Sequence, residues 1–168
     1  MMKLVNDVYI HESAHISGDV TLGSKTNIWP FVSIRGDVAS ITVGDCTSIQ
    51  DHVMLHCRHT YPLTIGNHVV IGHQACVHCS EVGDGTMIGI GSRILDNAVI
   101  GKNCLIAAGA VVRPGTVVPD GTMMAGVPAK PIRDVTPEEV ANTRLIADRY
   151  IDLSEGHIAG KFPLYPTS

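Results

Sequence analysis

Aromatic residues are scarce in this chain: one Trp, four Tyr and two Phe among 168 residues, or 4%. So few rings do not suit most β-sandwich cores, nor a surface that stacks nucleobases. Charge is thin as well, at 17%, with twelve Lys and Arg against sixteen Asp and Glu for a formal charge of -4. Without a basic stretch, a phosphate-tracking nucleic-acid surface is not expected. Long apolar runs are missing too, none approaching the roughly 18–20 residues of a membrane span. The opening stretch Met1–Asp7 lacks the apolar core and cleavage site of a signal peptide. The cysteines are Cys46, Cys57, Cys76, Cys79 and Cys104, an odd count with no disulfide-framework spacing. Reduced thiols in a cytoplasm are expected, in a soluble protein with neither membrane nor nucleic acid as partner.

Leucine is also short beside its β-branched relatives: nine Leu against 19 Val and 17 Ile. Branching at Cβ suits a pleated strand and loses rotamer freedom in a helix. Seventeen Gly along the chain add frequent turning. The aliphatic residues recur at a fixed interval. Ile65 and Ile71, then Val82, Ile88, Ile94, Ile100, Ile106, Val112, Val118 and Met124 fall every six residues. Ile10, Ile16, Leu22, Ile28 and Ile34 hold the same beat, and Val43, Ile49 and Leu55 resume it. A period of six fits neither a helix nor long hairpin strands. It fits short strands joined by tight corners, three to a triangular turn, which is a parallel β-helix of hexapeptide repeats.

Grouped in threes, the aliphatic positions make turns 10/16/22, 28/34/43, 49/55/65, 71/77/82, 88/94/100 and 106/112/118, with Met124 opening a seventh. Departures from six fall beside the third side, so insertions are expected along one edge of a three-sided prism. The beat stops after Pro128-Ala129-Lys130-Pro131. Thr136-Pro137-Glu138-Glu139 then combines a capping box with Pro at the first helical position. Val140, Thr143, Ala147, Tyr150 and Ile151 follow at helical spacing, predicting one α-helix of about 15–18 residues against the prism. The expected organisation is an all-β repeat domain over 1–133, a helical segment over 134–156 and a loose tail over 157–168.

Nine His are present, six of them between 52 and 78. His11, His15, His52, His68 and His157 read as ordinary surface or corner residues. His56 and His78 differ, because each follows a core residue, Leu55 or Val77, on the same side in consecutive turns. Their rings are expected to stack about one strand spacing apart, on the outer face. Two nitrogens bound to one Zn²⁺ at about 2.0–2.1 Å lie roughly 3.3 Å apart, which stacked rings can reach. His73 stands on the preceding side, and the five residues to His78 span roughly 16 Å with a corner between. It cannot join the same ion within its own subunit, but a neighbouring subunit can supply it. A cyclic trimer would carry three such interfacial sites, each with three nitrogens and an open position, as catalytic metal sites have. Cys76-Val77-His78-Cys79 offers a competing Cys-x-x-Cys, but a single pair is weak evidence for structural zinc.

The run Ser33-Ile34-Arg35-Gly36-Asp37, then Val43-Gly44-Asp45, Ile49-Gln50-Asp51, Leu55-His56, Ile71-Gly72-His73 and Val77-His78 resembles the γ-class carbonic anhydrases over most of residues 10–133. The resemblance implies a left-handed β-helical homotrimer that hydrates CO₂ reversibly to bicarbonate, by a metal-bound hydroxide at subunit interfaces. By it, His56, His73 and His78 match the metal ligands. Arg35 and Asp37 match an interface pair, and Gln50 and Asp51 match residues lining the site. The residue chemistry agrees: an Arg–carboxylate pair is geometrically fixed, and the Gln50 amide can both donate and accept. Three imidazoles suit a divalent metal, zinc first, with iron, cobalt or nickel as alternatives.

Three positions depart from the family pattern. Val38 stands where the best-studied type has Glu, Ser48 where it has Asn, and the loop 57–62 lacks an acidic insertion. His59, three residues after His56, is the candidate for carrying protons to solvent, beside the plainer reading of a loop histidine. Two other functions share the repeat. One is an acetyl-CoA-dependent hexapeptide acyltransferase, which the segment Ala125–Arg133 resembles; the other is a non-catalytic metal-bearing trimeric scaffold.

Overall fold

Three rows of aliphatic side chains run through the centre of the molecule, and they are the rows the hexapeptide beat predicts. The computed structural model describes residues 1–78 and 81–165. The first row stacks Ile10, Ile28, Ile49, Ile71, Ile88, Ile106 and Met124 in parallel register. The second stacks Ile16, Ile34, Leu55, Val77, Ile94 and Val112. The third stacks Leu22, Val43, Ile65, Val82, Ile100 and Val118. From Ile28 onward none of these side chains is more than 3% exposed. Each contributes about 1.5–3 kcal/mol of transfer free energy, so a sequence with few aromatics still builds a core. The result is a parallel β-helix of six full turns.

Most strands are two or three residues long, because each side of the triangle needs only enough chain to reach the next corner. Side-chain ladders hold the corners. Ser24, Asp45 and Asn67 donate their backbone N–H groups to Asp45, Asn67 and Asp84 one turn on, at 2.8–2.9 Å. The strands His15–Leu22 and Ser33–Val43 instead run unbroken through the second-to-third corner. There Gly18 (φ 84°) lies against the Gly36 carbonyl so closely that any Cβ would meet it at 2.2 Å. The nine-residue spacing from Ile34 to Val43 is thus absorbed into a bent strand. The ten-residue spacing from Leu55 to Ile65 forms a loop, pinned by an Arg58–Tyr61 bridge. Both lie on the expected edge.

Antiparallel hairpins close both ends of the first side. Met2–Val5 pairs with Val8–His11, and Thr122–Gly126 with Ala129–Asp134. They cover backbone edges that a stack of parallel strands leaves open. The helix Pro137–Ile158 has 22 residues, longer than its periodicity suggests. It begins at the expected capping box of Thr136 and Glu139, and Arg133 grips the Glu139 carboxylate with two bonds of 2.8 Å. It runs on past Gly156, which lies under the Phe162 ring, where a Cβ would sit 2.7 Å from a ring carbon. Tyr150 meets Trp29 edge-on at 5.2 Å, and Tyr9 donates to Glu155 at 3.0 Å, so the helix lies along the first side. Among the described residues, no helix is long and apolar enough to cross a membrane.

Candidate metal centre

Strand register brings His56 and His78 together. Met54–His56 and Cys76–His78 are parallel neighbours, with His56 directly opposite His78. Leu55 and Val77 point inward and are fully buried, so alternation turns both imidazoles outward. Nδ1 of His56 lies 3.1 Å from Nε2 of His78, with ring centroids 5.1 Å apart. The outer nitrogen of each ring meets a carboxylate: His56 Nε2 and Asp37 Oδ1 are 3.1 Å apart, and His78 Nδ1 and Asp96 Oδ1 are 2.6 Å apart. Each carboxylate is in turn bound by an arginine, Asp37 by Arg35 and Asp96 by Arg58 at 3.0 Å. The Arg35 contact, helped by His56, holds the Asp37 carboxyl below its ordinary range. The His78 contact, with Arg58 second, does the same for Asp96.

Counting hydrogens tests whether this arrangement fits a metal. Asp37–His56–His78–Asp96 is a series of three polar contacts, and each needs a hydrogen or a cation between its lone pairs. Ionised carboxylates bring no hydrogen, and two neutral imidazoles bring two. If each ring gives its hydrogen to its carboxylate, two bare nitrogens face each other at 3.1 Å. Only a further proton or a metal ion makes that contact favourable. The separation is close to the roughly 3.3 Å that two imidazoles keep on one zinc ion. Carboxylates on the outer ring nitrogens are also the usual support of metal-ligating histidines. The donor set fits a divalent metal.

His73 stands elsewhere. It precedes a corner residue, Gln74, whose φ is 62°, and its backbone carbonyl accepts from Gly91 on the next turn at 2.9 Å. Its Nδ1 pairs with Asp51 Oδ2 at 3.0 Å, and its Nε2 lies 3.3 Å from the Tyr150 hydroxyl. Burial, with the Asp51 charge second, raises the Tyr150 pKa. Gln50, 5% exposed, and His73 line a groove of about 370 Å³ between prism and helix, with Tyr150, Ile90 and Leu153. Arg35, Asp37, His56 and His78 therefore form one group, and Gln50, Asp51 and His73 another. Among the described residues of a single chain, no three His, Cys, Asp or Glu side chains are gathered to hold an ion.

His59 is exposed in the loop after His56. Burial raises the Cys76 thiol, and Cys79 lies outside the described residues. Three participants escaped the sequence reading: Asp96, Arg58 and Tyr150. The repeat register could have suggested Asp96, because Val77 stacks on Ile94 and so puts residues 95 and 96 beside His78. Helical spacing put Tyr150 on the packed face but not opposite His73.

The profile described as bacterial transferase hexapeptide (six repeats) matches residues 79–114. Gamma carbonic anhydrase 2, mitochondrial, of Arabidopsis thaliana is 38% identical over 157 residues, covering 90% of this chain. The match spans only 56% of that plant protein, little more than half its length. The carbonic anhydrase of Geobacillus kaustophilus is 43% identical over 150 residues, covering 89% of this chain and 82% of the relative. The chain belongs to the γ-carbonic anhydrase family. A solved hexapeptide transferase family protein from Anaplasma phagocytophilum superposes with a TM-score of 0.80 at 35% identity, covering 89% of this chain and 92% of that one. This member of the γ-carbonic anhydrase family thus shares its prism with a hexapeptide transferase family protein.

Proposed function

We propose that this γ-carbonic anhydrase relative catalyses the reversible hydration of CO₂ to bicarbonate as a homotrimer, with a divalent metal shared between neighbouring subunits. His56 and His78 of one chain and His73 of the next would hold the ion, zinc first, with iron, cobalt or nickel as alternatives. The observation that carries this reading is the 3.1 Å approach of two imidazoles, each with its outer nitrogen on a carboxylate. A general-base histidine for acyl transfer needs one such ring, not two facing each other. When bound, the ion supplies Lewis acidity that lets water react with CO₂ near neutral pH.

The chain's own residues have separable tasks. Asp37 keeps the His56 ring in place, and Arg35 keeps Asp37 ionised. Asp51 fixes Nδ1 of His73, leaving Nε2 in the groove beside the Tyr150 hydroxyl. The Gln50 amide accepts at its oxygen and donates from its NH₂ group, so it can orient both water and bicarbonate in the groove. His59 would carry protons between site and solvent. The described cysteines Cys46, Cys57, Cys76 and Cys104 are free thiols, which fits a cytoplasmic setting. Metal content per chain and CO₂ hydration, measured on one purified sample, test the reading. About one ion per chain together with measurable hydration is expected. Metal without hydration overturns the enzymatic reading in favour of the scaffold, and a chain that binds no metal overturns the metal site as well.

A further inference from the structure

The Arg58–Asp96 pair is absent from the family motif that carries the resemblance, yet it touches the candidate centre directly. Asp96 comes from the turn after His78. Arg93–Ile94 stacks on Cys76–Val77, and the chain bends beyond it at Asn97, where φ is 59°. That bend aims Asp96 Oδ1 at His78 Nδ1, 2.6 Å away. Its other oxygen takes Arg58 from the loop after His56 at 3.0 Å, and the Arg58 guanidinium lies over the Tyr61 ring at 5.8 Å from the centroid. Tyr61, Arg58, Asp96 and His78 thus form one connected line from loop to site.

We infer that Asp96 is a positioning residue: it holds the Nδ1–H tautomer of His78, so that Nε2 presents its lone pair to a metal, and Arg58 locks Asp96 in that pose. The inference rests on the metal-site reading above. An ionised carboxylate can only accept, so the hydrogen at this contact must belong to His78. A neutral imidazole has one N–H, so placing it at Nδ1 leaves Nε2 bare. Without Asp96 nothing in this contact selects that tautomer, and the ring must be sorted at the moment of binding. Arg58 sits in the short loop that lacks the acidic insertion, so this loop contributes a brace to the site.

Asp96→Asn tests this, because its amide is nearly isosteric and can donate to Nδ1, favouring the wrong tautomer. Chelator competition with Zn²⁺, and the visible absorption of Co²⁺-loaded protein, measure the site without reference to turnover. Asp96→Asn is expected to weaken metal binding about 10–100-fold and to alter the Co²⁺ spectrum. Asp96→Glu should recover part of the affinity, and Arg58→Gln should show a smaller loss. The unfolding midpoint of metal-free Asp96→Asn should match wild type. Nitrogen NMR of the Zn²⁺-loaded wild type offers a check that needs no variant, with the His78 proton expected on Nδ1. A proton found on Nε2, or Asp96→Asn affinity within threefold of wild type with an unchanged Co²⁺ spectrum, would overturn the inference while leaving the metal site standing. A wild type that binds neither ion overturns both.

Discussion

The two groups of candidate ligands differ in how they are held. His56 and His78 are fixed by sheet register: neighbouring parallel strands place them opposite each other, and a carboxylate from the same chain braces each outer nitrogen. His73 is fixed by a corner and a helix, through Asp51 on one nitrogen and Tyr150 near the other. On the proposed reading the first group supplies two of three ligand nitrogens and the second supplies one, with no ion-holding cluster around either among the described residues. The proposed cyclic assembly would bring one to the other at each interface.

The sharpest way to separate the two groups is to remove a ligand from the first. His78→Ala should lower metal affinity by more than about 100-fold, beyond what loss of an outer brace costs. The ring points outward and is 25% exposed, so metal-free stability should change by no more than about 0.5 kcal/mol. Dialysis against trace Zn²⁺ with thermal unfolding of the same sample checks both. Stoichiometric metal in the variant would refute the ligand assignment.

A subtler experiment asks whether the two groups come from different chains. His56→Ala and His73→Ala chains, each unable to bind metal alone, are refolded together in equal amounts. In random trimers a site is whole when one chain gives His56 and His78 and the next gives His73, so about a quarter of sites should recover. Recovery near zero would mean that all three ligands act within one chain.

The contrast also explains what could be read from sequence. Register-fixed features were legible, because a stacked Ile49 and Ile71 imply which neighbours follow them, and His56 opposite His78 came from that arithmetic. Features set by long-range docking were not. Tyr150 reaches His73 across 77 residues, through the angle at which the helix lies on the prism. Asp96 lies two residues past the strand Arg93–Ile94 that stacks on Cys76–Val77, so register places it near His78 but the corner sets its direction. The N-terminal hairpin had a local signal, since Asn6 and Asp7 both adopt positive φ in the two-residue turn such residues favour.

On the first group's side, His59 follows His56 by three residues and stands in water. If it moves protons, His59→Ala should hydrate CO₂ several-fold more slowly in dilute buffer and be restored by concentrated imidazole, with metal content unchanged. An equal rate in dilute buffer would remove His59 from the proton path.

The smallest effect belongs to the second group, through the helix that carries Tyr150. Glu139 accepts two bonds from Arg133 and one from the Thr136 backbone N–H, which together lower its pKa to about 2. Its ordinary value is 4.5, so the unfolded chain takes up this proton more readily than the folded one. The charge therefore stabilises the fold fully above pH 4.5, and the contribution drains away as pH falls toward 2. Glu139→Gln keeps the capping shape without the charge. Its deficit against wild type should be present at pH 7, narrow below 4.5 and close near pH 2, as read from unfolding midpoints. Solvent surrounds the pair, so the deficit should be small and shrink further in high salt. Amide exchange should locate it in the first helical turns, leaving the strands of His56 and His78 untouched. A deficit that stays constant from pH 7 to 2 would show that the Glu139 charge contributes nothing to anchoring this helix.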